Sequence, residues 1–348
     1  MMMKRLIAVI AVAACLAILG ASCKGPETPA PDAQAPKAQI AETAVTFDRQ
    51  QLLDLMQKYL AALVEHNPNS VPFAETAKFV ESTNEIPVGE GLWITATGGP
   101  GPFQIYAADP VAQQVACLVT MKETNKDVLL GARLKLVNGK ITEAEHLVIR
   151  DDLSNQIKNG HLAKARPAFS EDLAEADKTP REEMLKAGAA YYVALTGEDG
   201  KLAPFAEDCE RRENGMTTAG TREPMSPLPI TATDPDTKKM MEAMSKMPRT
   251  CEGQISTGSF TYITDIKDRR VFIADERTGL VVGFSMFWHK SDVKTVKIKN
   301  VPGIDEMPSY QGTFNLPAMH IYKVKAGKIY DIEAIGFTLP YGQKSGWE

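Results

Sequence analysis

The sequence predicts an α+β protein made of two tandem copies of one unit, each with helices followed by a bent antiparallel sheet. Three observations carry that reading. Blocks of residues recur in the same order along the chain, each copy opens on a run with helical spacing, and each closes on alternating strand-like runs joined by tight turns. At 348 residues the chain is long enough for two cores, and its 44% hydrophobic and 24% charged residues suit a folded protein. Collagen-like, mucin-like and wholly disordered chains are excluded by that composition. The formal net charge is −5 and no basic block occurs, which argues against nucleic acid as a partner.

The repeat is read directly from the residues. Residues 47–81 lie over 179–213 without a gap at an offset of 132, with Arg49, Tyr59, Leu63, Phe73 and Glu81 recurring as Arg181, Tyr191, Leu195, Phe205 and Glu213. Tyr106–Asp109 matches Phe272–Asp275 at an offset of 166, and Leu136–Ile141 matches Val324–Ile329 at 188, with Glu145 over Glu333. The growing offsets place two insertions in the second copy, at 216–250 and 290–312. Each copy opens with a helix. Leu52, Leu53, Met56, Tyr59, Leu60 and Leu63 fall at three- and four-residue spacing, and Thr179 precedes Pro180 as a candidate N-cap. A short Pro-Phe-Ala-Glu segment follows. Strands are then expected at Phe103–Ala107, Val115–Met121 and Leu130–Val137, and again at Gly258–Thr264, Arg270–Ala274, Leu280–Trp288 and Ala318–Val324. Asn138-Gly139 and Ala326-Gly327 are the hairpin turns. The organisation is therefore a copy at 45–150, a polar connection at 151–178 and a copy at 179–348.

Ahead of the repeat, Lys4 and Arg5 precede the apolar run Leu6–Leu19, which is too short to cross a bilayer comfortably and reads as a secretory leader over 1–22. Gly20-Ala21-Ser22-Cys23 resembles the lipobox of bacterial lipoproteins, which implies lipid on Cys23 and a membrane as partner. A plain secreted protein cut near Ala21 is the alternative. Residues 23–44 are rich in Pro, Ala and Gln and read as a disordered tether. The expected location is the bacterial cell envelope, lipid-anchored at the outer membrane and facing the periplasm or the surface. Cysteine usage agrees with export. Cys117 sits in an apolar strand-like run as a buried thiol, while Cys209 and Cys251 flank an irregular segment that a disulfide would close. No C-x-x-C, Walker A loop, G-x-G-x-x-G, H-E-x-x-H or G-x-S-x-G occurs, so neither a metal nor a cofactor is called for.

A Tyr-bearing first helix, an F-A-E-D segment with a carboxylate five residues on, and late strands carrying x-G-K-I resemble the NTF2-like superfamily. This group includes the SnoaL-like and ketosteroid isomerase-like proteins. The resemblance covers about 45–150 and 180–340 and implies two cone-shaped domains, each a bent sheet around a helix with a pocket inside. The second copy also resembles a family of secreted proteins without an assigned reaction, through F-A-E-D-C-x-R-x-E-N-G at Phe205–Gly215 and P-Y-G-x-x-S-G-W at Pro340–Trp347. Carried over from the isomerases, the pattern implies a helix Tyr at Tyr191, a carboxylate base at Glu213 and a second polar group at His320. In the isomerases that last position is a neutral acid; here it is His, so their mechanism does not transfer unchanged. His289 and Tyr262 on neighbouring strands are second-line candidates, and Asp208 and Arg212 are expected to pair near the mouth.

In an apolar cone a Glu becomes a base near neutrality, with Tyr and His donating where charge collects. Structural roles stand beside these. Tyr191 and Glu213 have equivalents in Tyr59 and Glu81, as core and salt-bridging residues would, whereas His320 has Ala132 in its place. That asymmetry makes the second copy the expected pocket for a small organic molecule, and the first a structural unit. Met240, Met241, Met244 and Met247 are expected to form a packing lid, and Lys294, Lys297 and Lys299 a solvated face. Three functions are open: cofactor-free acid–base catalysis (isomerase, dehydratase, lyase or hydrolase), non-catalytic ligand binding, and an interaction module whose sheet faces pair two domains or a dimer.

Overall fold

Asp48 starts the first copy. Its side chain accepts the Gln51 N–H while the Gln51 side chain accepts the Asp48 N–H, a capping box that opens α1 (Arg49–Val64). In this computed structural model, residues 44–227, 234–290, 293–309 and 312–348 are described; the leader, Cys23 and all of the tether but Ala44 lie outside them. Among the described residues no helix is long and apolar enough to cross a membrane. At the equivalent position Pro180 is the N-cap of a longer helix, Arg181–Gly197, and offers no side-chain acceptor. Thr179, expected as that cap, instead accepts the Gly327 N–H at 2.9 Å and ties the helix start to the hairpin turn at 326–327.

In chain order the remaining helices are α2 (Leu92–Thr95) and α3 (Ser154–Lys158), then α4 (the Arg181–Gly197 helix), α5 (Pro235–Ser245) and α6 (Cys251–Ile255). The first sheet holds β1 (Phe73–Glu81), β2 (Asn84–Glu85), β3 (Ala96–Gly98), β4 (Gln104–Asp109), β5 (Gln114–Glu123), β6 (Lys126–Val137) and β7 (Lys140–Ile149). The second copy begins its sheet with β8 (Phe205–Glu213), β9 (Met216–Ala219), β10 (Ile263–Asp275) and β11 (Leu280–Lys290). A separate two-stranded ribbon, β12 (Thr295–Lys297) with β13 (Glu306–Pro308), interrupts it before β14 (Thr313–Lys325), β15 (Lys328–Gly336) and β16 (Leu339–Pro340). The fold class is α+β, with each sheet wrapped round its helix; α4 touches β10, β11, β14 and β15.

Two features depart from the sequence reading. Each sheet contains one parallel pair, β1 with β7 and β8 with β15, because the strand that leaves the helix enters beside the strand that follows the glycine hairpin turn of its copy. The expected strands Gly258–Thr264 and Arg270–Ala274 are one bulged strand, β10, preceded by turns. Asn138 and Gly139, with φ of 50° and 70°, and Ala326 and Gly327, with 47° and 76°, make the expected hairpin turns.

The two copies belong to one compact unit and meet face to face on their sheets. Phe103, Ile105, Leu118 and Leu129 share a buried cluster with Ile273, Phe284, Met319 and Ile335. At its rim the contact between the two sheets is reciprocal. Arg49 Nε donates to both carboxylate oxygens of Asp275, at 2.8 and 3.0 Å, and Asp275 also accepts the Ala108 N–H at 3.1 Å. Reciprocally, Arg181 Nε donates to Asp109 at 2.9 Å and Asp109 accepts the Ala274 N–H at 3.0 Å. Arg49 and Arg181 are equivalent positions, as are Asp109 and Asp275, so the contact has pseudo-twofold symmetry and is self-complementary in the manner of a homodimer interface.

The connection 151–178 is built into the fold. It buries Leu153, Leu162 and Phe169, and Arg166 donates to Glu210, Asp331 and Glu333 on the second sheet. At the position equivalent to Glu333, Glu145 accepts from Arg133 of its own copy and from Arg270 of the other. Trp347 lies 4.8 and 5.2 Å over those two guanidinium groups, so the closing P-Y-G-x-x-S-G-W motif straps the end of the second copy across the first. The two insertions pack on each other, with Ala243 and Met247 against Val296, Ile298, Val301 and Met307. The three lysines form the expected solvated face: all are exposed, and Lys297 and Lys299 pair with Glu306 and Glu198.

Candidate functional site

The second copy encloses a cavity of about 380 Å³ between α4 and the inner face of its sheet. Strand alternation puts its wall together. Leu316, Ala318 and His320 face the helix from β14, Phe287 and His289 from β11, and Tyr191 reaches in from α4. Ala334 lies opposite His320 in the β14–β15 register, and its small side chain leaves room at that point. Tyr191, Glu213, Tyr262, His289 and His320 all line this one space, although they come from five places in the chain.

Apart from Glu213 the wall is made of aromatic, aliphatic and neutral polar residues. His320 Nδ1 lies 3.3 Å from Tyr192 Oη, and its ring stacks with Tyr322 and Phe287, each 5.7 Å away. His289 stacks on Phe314 at 4.1 Å. Burial pushes the His320 imidazolium down to about 3, with the nearby positive charge of Arg211 adding to the effect. Burial lowers His289 to about 4, against a backbone hydrogen bond involving Phe314. Burial likewise raises the Tyr191 phenol to about 12, with Arg211 opposing. At neutral pH both imidazoles are therefore neutral and the phenol is protonated.

Glu213 is the charged residue of this wall, and it pairs with a buried arginine that lines no part of it. Arg211, which the sequence reading passed over, is 2% exposed and packs 5.5 Å over the Phe260 ring. Its Nε lies 3.0 Å from Thr218 Oγ1 and 3.1 Å from Glu213 Oε1, and Nη2 donates to Gln254. Glu213 does not have the apolar burial expected of it: its side chain is 43% exposed and paired with Arg211. Asp208 is exposed, and Arg212 is buried with Glu210 and Glu223 instead of meeting Asp208. Four residues along a strand span about 13 Å, too far for those two side chains to meet. The rest of the F-A-E-D-C-x-R-x-E-N-G motif is structural. Asn214 exchanges hydrogen bonds with the Gly336 backbone at 2.8 and 3.0 Å, and Gly215 turns the chain at φ 77°. Cys209 forms a disulfide with Cys251 across a Cα separation of 5.8 Å, tethering β8 to α6.

Residues 177–336 match a family described as a domain of unknown function, DUF8021. The matched span contains every residue of the cavity wall named above. No curated protein is significantly similar to the chain. Similar solved structures include a putative polyketide cyclase from Silicibacter sp. TM1040 (TM-score 0.25, 12% identity, covering 45% of this chain and 90% of that chain). IdmH, a putative polyketide cyclase from Streptomyces antibioticus, is similar with a TM-score of 0.27 and 16% identity over 44% of this chain and 91% of its own. A putative SnoaL-like polyketide cyclase from Jannaschia sp. CCS1 gives 0.25 and 8% over 48% and 90%.

Outside the DUF8021 match, the first copy corrects one expectation. It does not lack the third polar group. His146 stands where the second copy has Ala334, and Ala132 where it has His320; each pair is directly cross-strand, so the histidine has changed strands while facing the same helix. Tyr59 Oη is 2.9 Å from His146 Nε2, and His146 Nδ1 is 3.3 Å from Glu81, which also accepts from Arg150 and the Leu92 N–H. Burial opposes ionisation of Glu81, but His146, Leu92 and Arg150 outweigh it and hold the carboxyl at about 2. Trp93 of α2, 1% exposed, packs into this interior, 5.1 Å from Tyr59 and 6.1 Å from Phe73.

The buried histidines predict a pH dependence. The unfolded chain binds a proton at each near pH 6.5, whereas the folded chain does so only near 3 and 4. Their contribution is therefore complete above about pH 6.5 and declines as pH falls, by about 1.4 kcal/mol per unit for each histidine. Glu81 adds a loss of the same sign only below its ordinary value of 4.5. In urea unfolding between pH 4.5 and 6.5, His320→Gln is expected to flatten the decline; an equally steep profile in the variant would refute the assignment.

Proposed function

We propose that this chain is a lipid-anchored envelope protein whose second copy binds a small apolar organic molecule, with the first copy as its structural partner. The observation that carries the reading is the contrast between two equivalent interiors. One is filled by Trp93 around a hydrogen-bonded Tyr59–His146–Glu81 set, and the other leaves about 380 Å³ open among neutral rings. A cavity of this size and apolar character, with a few converging polar groups, suits a small-molecule ligand. The leader, Cys23 in its lipobox-like setting and the Cys209–Cys251 disulfide support export and anchoring.

Binding without turnover is the better-supported role. With its imidazolium suppressed, His320 donates or accepts a hydrogen bond but is a weak proton acceptor at neutral pH, and Glu213 is engaged by Arg211. A second reading, cofactor-free acid–base catalysis of the isomerase, dehydratase or lyase type, is favoured by Tyr191, Glu213 and His320 lining the same space. There Glu213 would take a proton after leaving Arg211, with Tyr191 and His320 donating to the developing charge.

A thermal-shift screen of the full chain against aromatic, steroid-like and sugar-derived metabolites, with mass spectrometry on every hit, separates the two. A hit that stabilises and returns unchanged, and that tolerates Glu213→Gln, is the expected result. A hit converted to product by the wild type but not by Glu213→Gln would replace binding with catalysis.

A further inference from the structure

A second cavity, of about 220 Å³, adjoins the first and shares Glu213, Met216, Phe260 and Tyr262 with it. Its wall contains Met216, Met225, Met240, Met244, Met247 and Met307, brought together by β9, the two insertions and the turns around them. Unbranched thioether side chains adapt their shape to a flexible occupant and offer it a polarizable apolar surface. Thioethers also suit soft metal ions, but the guanidinium of Arg211 is part of this same wall and repels a cation.

Arg211 is the decisive group. It is almost fully buried, and its Nη1 makes no hydrogen bond. Among the described residues its carboxylate partner is Glu213, which is 43% exposed and stands where the two cavities join. Such a partner is readily exchanged, because Glu213 regains water when it lets go while a buried guanidinium requires another anion in its place.

We propose that this methionine-walled cavity binds the unbranched chain of an aliphatic monocarboxylate, whose carboxylate takes the place of Glu213 on Arg211. This rests on the second copy being a ligand-binding unit and adds the charge and shape of what it holds. Glu213 is then an internal competitor for the ligand's own anchor.

The test is calorimetric titration of the full chain with decanoate, decanol and decyltrimethylammonium, each below its micelle concentration. Decanoate is expected to bind at least tenfold more tightly than decanol, and the cation not at all. Glu213→Gln, a change at a half-exposed position, is expected to tighten decanoate at least threefold and leave decanol unchanged. Arg211→Gln is expected to erase the preference for decanoate, with its fold checked by circular dichroism. Equal binding of decanoate and decanol, or weaker decanoate binding by Glu213→Gln, would overturn the carboxylate assignment and leave the apolar pocket standing. Failure of all three probes, with a neutral aromatic molecule still bound in the adjoining cavity, would overturn this site alone. Failure of both cavities would overturn the ligand-binding reading with it.

Discussion

Asp275→Ala is expected to destabilise the chain by about 3–5 kcal/mol in urea unfolding, the range for removing one partner of a buried ion pair. The Asp275 side chain is 1% exposed and holds Arg49 and the Ala108 N–H of the other copy, so its loss strands a guanidinium and an amide together. Asp109→Ala is expected to behave the same way, because Asp109 holds Arg181 and the Ala274 N–H in the reciprocal arrangement. A double-mutant cycle of Asp275→Ala with Arg49→Ala distinguishes the pair from a merely buried aspartate. Coupling of at least about 1 kcal/mol is expected for such a contact, and strictly additive losses would contradict the clamp.

Removing the disulfide by Cys209→Ala with Cys251→Ala is expected to have an effect of similar size. The bridge closes a segment with a sequence separation of 42, for which loop-closure entropy gives about 4 kcal/mol. The consequence extends to the pocket mouth, since α6 carries both Cys251 and Gln254, the acceptor for Arg211 Nη2. The double variant should unfold at lower urea concentration than the wild type. The wild type under reducing conditions should match the variant, because the other described cysteine, Cys117, is a buried free thiol. A stability unchanged by either treatment would contradict a structural role for the bridge.

What was legible in the sequence was local or periodic. The spacing of Leu52, Met56, Tyr59 and Leu63 specifies a helix face, and the glycine turns at 138–139 and 326–327 specify hairpins, because 3.6- and 2-residue periods and positive φ are properties of short segments. The recurring blocks, such as 47–81 over 179–213, were legible because they are read position by position along the chain. The strand β8 was not, since Phe205–Glu213 reads as a polar run; it is a strand because β15 pairs with it and its outer charges meet Arg166 and Arg222. The candidate site was legible in part. Three cavity residues, Tyr191, Glu213 and His320, came from a resemblance and two more, Tyr262 and His289, from their place on neighbouring strands, but alignment of one copy on the other set His320 against Ala132 and hid His146. Cross-strand neighbours are determined by register between segments, which aligned positions alone do not supply. Arg211 was not singled out although it is the Arg of the F-A-E-D-C-x-R-x-E-N-G motif, because its burial against Phe260 and Gln254 comes from segments distant in the sequence.

The central claim is that the interior of the second copy is an open, neutral, apolar binding site. It is tested most directly by fluorescence titration of the full chain with N-phenyl-1-naphthylamine, an uncharged apolar probe, comparing wild type with Ala334→Trp. Ala334 lines the cavity opposite His320, so the larger side chain fills the space without removing a polar group. Ala318→Phe, from the neighbouring strand, provides an independent block should the first variant fold poorly. Saturable binding by the wild type, weakened at least tenfold in a blocked variant that keeps a cooperative unfolding transition, is the predicted result. Equal affinity in wild type and folded blocked variants, or no saturable binding by the wild type, would contradict the account.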